Sequence, residues 1–340
     1  MKALILFVGS ALICSSAFAH HSFAAYDQMN VIEVEGTLLD LRWTNPHVHF
    51  KLRSMDSQGK ATEWDIEGNS VSILRRTDVT SESLHVGDRV KIVAWPTREP
   101  SSKLFALNLL TPGNRELILS PGRPPRWPTA TAAGTKTSWF TEGTKQDVHA
   151  KGGIFRVWSS LLSDPHGSPY FWPKSYPLTV NARAAVAKWN PDKNSIQVGC
   201  TPKGMPTIME QPYPMQFVDK GDTILLRMEE YDTVRTIHLN AEAPRPLPAP
   251  QLLGYSVGQW MDDTLVVTTS SISWPYFDST GVPQSTSTVI TERFTPSKDG
   301  SRLEYKAVAT DPNVFTQPVA IERHWVWRPD EKVKPYNCGA

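Results

Sequence analysis

Between residues 30 and 110 apolar and polar side chains alternate in short runs. Residues 31–42 alternate along their whole length, residues 47–53 follow the Asn45-Pro46 break, and the turn Asp56-Ser57-Gln58-Gly59 leads into residues 61–66. A period of two sends successive side chains to opposite faces of an extended chain, so these runs predict three strands joined as a meander. Residues 70–76 predict one or two helical turns, residues 87–95 a strand opened by a Gly-Asp turn, and residues 104–110 a last strand. Three strands, a short helix and two strands is the order of an OB-like Greek-key barrel.

After residue 111 the alternation stops. Five prolines lie between Pro112 and Pro128, and a Thr/Ala/Gly/Ser-rich stretch follows, the composition of an extended linker over residues 112–150. Residues 178–189 predict a helix stopped by Asn190-Pro191. Seven further runs, at 222–230, 233–239, 252–259, 264–269, 286–294, 302–309 and 319–327, read as strands with Asp, Gly and Pro between them. In the sixth, Leu303, Tyr305 and Ala307 share one face and Glu304 and Lys306 the other, as in a sheet with one wet face. The expected fold is all-β. An OB-like small barrel spans residues 20–111, and residues 151–340 form a larger antiparallel β-barrel, lipocalin-like, or a sandwich, with one helix. No repeat of fixed period is present, which disfavours a propeller or solenoid.

Composition narrows the function classes. Lys+Arg number 35 against 34 Asp+Glu, so there is no basic excess to make a nucleic-acid surface. The 28 prolines and 12 tryptophans, with few Ala/Leu-rich runs, speak against a helical bundle. Residues 1–19 read as an export signal, with Lys2 as the positive end, an apolar stretch over 3–13 and Ala17-Phe18-Ala19 as the cleavage site. Cleavage there leaves His20 first. The apolar stretch is too short for a bilayer, which needs roughly 20 residues, so the expected product is periplasmic or secreted rather than integral to a membrane. Cys14 leaves with the signal; Cys200 and Cys338 remain. In an oxidising compartment a disulfide is the economical reading of that pair, and two unpaired thiols the alternative.

Two resemblances rest on particular residues. His20-His21-Ser22 with Tyr26-Asp27, Trp43-Thr44-Asn45-Pro46-His47 and Gly87-Asp88-Arg89-Val90 resemble a family of exported bacterial proteins of unknown function, over residues 20–110. The second half resembles another group of uncharacterised secreted bacterial proteins. The likeness rests on Leu178-Thr179, Cys200-Thr201-Pro202-Lys203-Gly204-Met205-Pro206, residues 254–267, Glu292-Arg293-Phe294 and Asp311-Pro312. Where that group carries an Asp-Gly-Arg-x-His turn, this chain has Asn240-Ala241-Glu242-Ala243. Neither resemblance implies an activity.

Candidate chemistry centres on histidine. A mature His20 offers an α-amine and an imidazole from one residue, a chelate that favours Cu(II), and His21 adds a second ring. His47 and His49, two apart in a predicted strand, point to one face and can converge on one ion. Copper is the expected metal and zinc the second, in a binding or accessory role. The alternatives are a carrier of a small hydrophobic ligand, or a secreted enzyme, either copper-dependent or hydrolytic. For the carrier, the aromatics Tyr170, Phe171, Trp172, Trp260, Trp274, Tyr276, Phe277, Trp325 and Trp327 of the second domain would line the cavity. Ser256 lies in a Gly-x-Ser-x-Gly sequence, but a nucleophile elbow needs a helix after the turn, and here another strand is expected. The carboxylates Glu229, Glu230, Asp232, Asp262, Asp263, Glu292, Glu304 and Asp311 are scattered, and no spacing among them forces a catalytic pair.

Overall fold

The structure, a computed structural model, describes residues 26–136, 153–160, 171–190, 199–239 and 249–339. Its strands close into two barrels, as the all-β expectation requires. In the first, β1 (Ile32–Arg42), β2 (His49–Met55) and β3 (Ala61–Glu67) form the meander. The helix α1 (Val71–Leu74) then runs into a 3-10 turn (Arg75–Thr77), followed by β4 (Arg89–Pro96) and β5 (Lys103–Leu110). Ser70 caps α1, its hydroxyl oxygen accepting from the Ile73 N–H. A ring of five strands cannot alternate direction all the way round, so one neighbouring pair must run parallel. Here that pair is β3–β5, and β1–β2, β2–β3, β1–β4 and β4–β5 are antiparallel. Alternation then sorts the side chains: Leu38, Val48, Phe50, Leu52, Ile66, Ile92 and Leu104 fill the inside.

The stretch expected as linker continues this sheet. β6 (Arg115–Ile118) pairs with β5, and β7 (Thr131–Ala133) with β6. Leu117 and Ile118 are fully buried, and the buried Glu116 carboxylate accepts from Asn108 Nδ2 and from the backbone N–H groups of Arg126 and Trp127. Strands of four and three residues among prolines are too short to register as alternation.

The larger unit is a closed barrel rather than a sandwich. It comprises β8 (Val157–Ser159), β9 (Met215–Asp219), β10 (Thr223–Met228), β11 (Val234–Leu239), β12 (Tyr255–Met261), β13 (Thr264–Ser270), β14 (Val289–Pro296), β15 (Arg302–Thr310) and β16 (Val319–Trp327). Nine strands again demand one parallel pair, β11–β12, where the separators in the sequence lead to antiparallel neighbours throughout. β8 and β9 close the ring between β16 and β10. The helix α2 (Val180–Lys188), capped by Thr179, is the one read from sequence. Side chains occupy the barrel interior: Trp158, Phe217, Ile224, Leu226, Phe294, Tyr305 and Trp325 are all buried in one cluster.

A polar seam joins the barrels. The Glu229 carboxylate accepts from Arg76 Nη1 and Nη2 at 2.8 and 2.7 Å and from Arg75 Nη2 at 2.7 Å, while Arg76 Nε donates to Glu331. The C-terminal tail then crosses to the small barrel. Asn45 Nδ2 donates to the Tyr336 carbonyl, Gly339 N donates to the Asn45 carbonyl, and Cys338 is disulfide-bonded to Cys200. Among the described residues no helix is long and apolar enough to cross a membrane.

Candidate functional site

The outer wall of the small barrel collects the chemistry. Because Val48, Phe50 and Ile66 point inward, the alternating positions His47, His49 and Glu67 belong to the outer face. β2 begins only at His49, yet the pairing continues beyond it: Val48 N donates to the Asn69 carbonyl and Gly68 N to the Val48 carbonyl. His47 is thus held at the strand entry. Its Nδ1 lies 2.9 Å from the Gly68 carbonyl and 3.2 Å from Glu67 Oε1. His49 stands directly across from Glu67 in the β2–β3 register, a position that brings opposed Cβ atoms to about 5 Å. His47 thus contacts the Glu67 carboxylate, and His49 occupies the position paired with that residue.

Tyr26 reaches the same carboxylate from the other side, its hydroxyl donating to Glu67 Oε2 at 3.2 Å. Its ring is buried against Phe105, 5.5 Å between centroids, in an outer cluster with Val93, Trp95 and Leu107. Burial and the Glu67 charge raise the phenol far above its usual range, so it remains a donor. Periodicity alone does not single out Glu67. The Asp56 to Gly59 turn, which sets the β2–β3 register, is the signal that points to it.

The Gly68 carbonyl can only accept, so it fixes the hydrogen on His47 Nδ1 and leaves the lone pair on Nε2. Burial lowers the His47 pKa, with the Gly68 hydrogen bond acting in the opposite direction. The side chain keeps 28% of its surface. A neutral imidazole is the form in which histidine binds a metal ion. Lys203 and Glu230 of the larger unit, paired at 2.9 Å, act electrostatically on the same ring, so His47 belongs to the seam as well as to the wall. His20 and His21 lie outside the described residues. Among the described residues there is no group of three or more His, Cys, Asp or Glu side chains that could hold a metal ion.

The other candidates have structural positions. Ser256 lies near the start of β12, its oxygen accepting from Arg235 Nε at 3.0 Å, and a strand hairpin follows it where an elbow would need a helix. Glu292 forms an ion pair with Arg235 inside the barrel. Glu229, Glu230 and Asp232 serve the seam, and Asp311 accepts from Ser285 and Thr288. Phe171, Trp172, Trp274, Phe277 and Trp325 are core members. Cys200 and Cys338 form the expected disulfide, Cα atoms 5.7 Å apart.

Fold and wall together define an all-β protein of two closed barrels, with the polar set carried by the smaller one. Residues 10–104, which contain His20, His21, His47, His49 and Glu67, match a family described as "Family of unknown function (DUF6152)". No curated protein and no solved structure matches the chain.

Proposed function

We propose that this is an exported periplasmic binding or accessory protein that holds a metal ion, copper first and zinc second, through His20, His21, His47 and His49. The reading rests on one observation: His47 and the hydroxyl of Tyr26 both contact the Glu67 carboxylate, and His49 is the cross-strand neighbour of Glu67. Tyr26 anchors the arm that carries the N-terminal histidines. His21 precedes it by five residues, a chain that spans at most about 17 Å when extended, so the arm's donors are within reach of the wall. A terminal amine with an imidazole from the same residue suits Cu(II), and the two wall imidazoles would complete a nitrogen-rich set. Glu67 would orient the rings, as carboxylates behind metal-bound histidines do. The disulfide is in keeping with an oxidising compartment.

The test begins with mass spectrometry of the protein from its native compartment, which reads both the first residue and any retained metal. A chain starting at His20 with one copper is expected. In Cu(II) titrations against a competing chelator, the His47→Ala/His49→Ala double variant and a chain with one glycine added before His20 should each bind at least tenfold more weakly. Equal affinity in the double variant and the parent chain would remove the proposed convergence.

A further inference from the structure

At one end of the large barrel the strands run past the core and leave a cleft of about 490 Å³, within the range of small-molecule sites, roughly 300–1,000 Å³. Three pieces of chain form it: the segment Gly153 to Arg156, the β12–β13 turn and the β14–β15 turn. Trp260 continues the inward row of β12 after the buried Ser256 and Gly258, but it lies beyond the packed interior and keeps 40% of its surface. Phe155 meets it edge-on, ring centroids 6.0 Å apart, which holds the indole in place while leaving it accessible.

Both turns are braced. Met261 pairs with Thr264 across a two-residue turn in which Asp262 adopts φ +53°, so Asp262 and Asp263 sit on a short, rigid tip. Opposite, Asp299 accepts from Ser297 Oγ, Ser301 Oγ and Ser301 N, hydrogen bonds that lower its pKa to about 2 and lock the turn that carries Lys298. Arg156 completes the wall, stacked 4.4 Å over Trp327 with Nη1 donating to the Gly300 carbonyl. The cleft therefore offers an indole platform, two carboxylates and two cations. The two signs balance, so an anionic or a cationic ligand would meet as much repulsion as attraction. A neutral polyhydroxyl ligand can use both sets, its hydroxyls donating to Asp262 and Asp263 and accepting from Lys298 and Arg156, with its C–H face on the indole.

We propose that this cleft binds a neutral oligosaccharide, with Trp260 as the stacking platform. The site is independent of the histidine wall. Isothermal titration of the full mature chain with cellohexaose and chitohexaose, alongside polygalacturonate and oligolysine as charged probes, tests it. Binding of at least one neutral hexasaccharide is expected, weakened at least tenfold by Trp260→Ala and largely kept by Trp260→Phe, with the His47→Ala/His49→Ala variant unchanged. Circular dichroism of Trp260→Ala checks that the barrel still folds; an exposed rim residue is expected to leave it intact. The proposal is overturned if neither neutral hexasaccharide binds, if only the charged probes bind, or if folded Trp260→Ala binds as the parent does.

Discussion

Arg235 and Glu292, exposed by 1% and 0%, place a guanidinium and a carboxylate inside the barrel. Removing both charges from water is costly, and here the cost is offset by a closed network. Arg235 also donates to Ser256 and Thr269, and the Tyr305 hydroxyl donates to Glu292 Oε1 at 3.0 Å. Glu292→Gln, which leaves the cation without its partner, should lower unfolding free energy by about 3–5 kcal/mol in urea denaturation. Tyr305→Phe should cost about 1 kcal/mol, since Arg235 still satisfies the carboxylate. His47 makes a pH prediction. Its folded pKa is lowered by burial, so the neutral ring contributes stability above its ordinary pKa, and this is lost as pH falls through the lowered value. His47→Gln should therefore flatten the acid side of the stability–pH curve, read from urea midpoints between about pH 7 and 4.

Among elements, the long alternating strands of both barrels are legible in the sequence, because burial on one face alone imposes period two. β6 to β9 are not. Each is three to five residues long, too short to show a period, and what holds them is pairing within the two sheets and, for β6 and its following segment, one carboxylate. Glu116→Ala removes the acceptor of two part-buried backbone N–H groups and of the buried Asn108 amide, at a total cost of about 1–3 kcal/mol. Faster amide hydrogen exchange confined to residues 115–133, with β1 to β5 still protected, is the expected outcome. Exchange unchanged there would show that β6 and β7 hold without it. The parallel pairs of the two rings, β3–β5 and β11–β12, also leave no local signal, since they follow from an odd strand count, which has meaning only when the ring closes.

For the whole molecule, the seam decides whether two barrels behave as one. Glu229 gathers Arg75, Arg76 and the Lys334 N–H, and the tail is tied at Asn45 and at Cys200. A crosslink of this sequence separation contributes by limiting the unfolded chain, typically 2–5 kcal/mol. Cys200→Ser/Cys338→Ser should lower the denaturation midpoint accordingly and split a single calorimetric transition into two, one for each barrel. Retention of a single transition would mean that the Glu229 cluster is sufficient on its own.

The all-β class, the long alternating strands and the helix α2 were determined by the sequence alone, and the Cys200–Cys338 disulfide was its economical reading. Each depends on local signals: periodicity, capping residues, breakers or an even count in a stated compartment. Closure of the larger unit as a barrel rather than a sandwich, the Arg235–Glu292 network, the seam and the company of His47 were decided only by tertiary structure. They join residues tens to hundreds of positions apart, such as Arg76 with Glu229 and Asn45 with Tyr336. Glu67 lies between the two cases. Its register with His49 is set by a nearby turn, but its role as the acceptor of the Tyr26 hydroxyl appears only once the sheet has curled and brought Tyr26 to it.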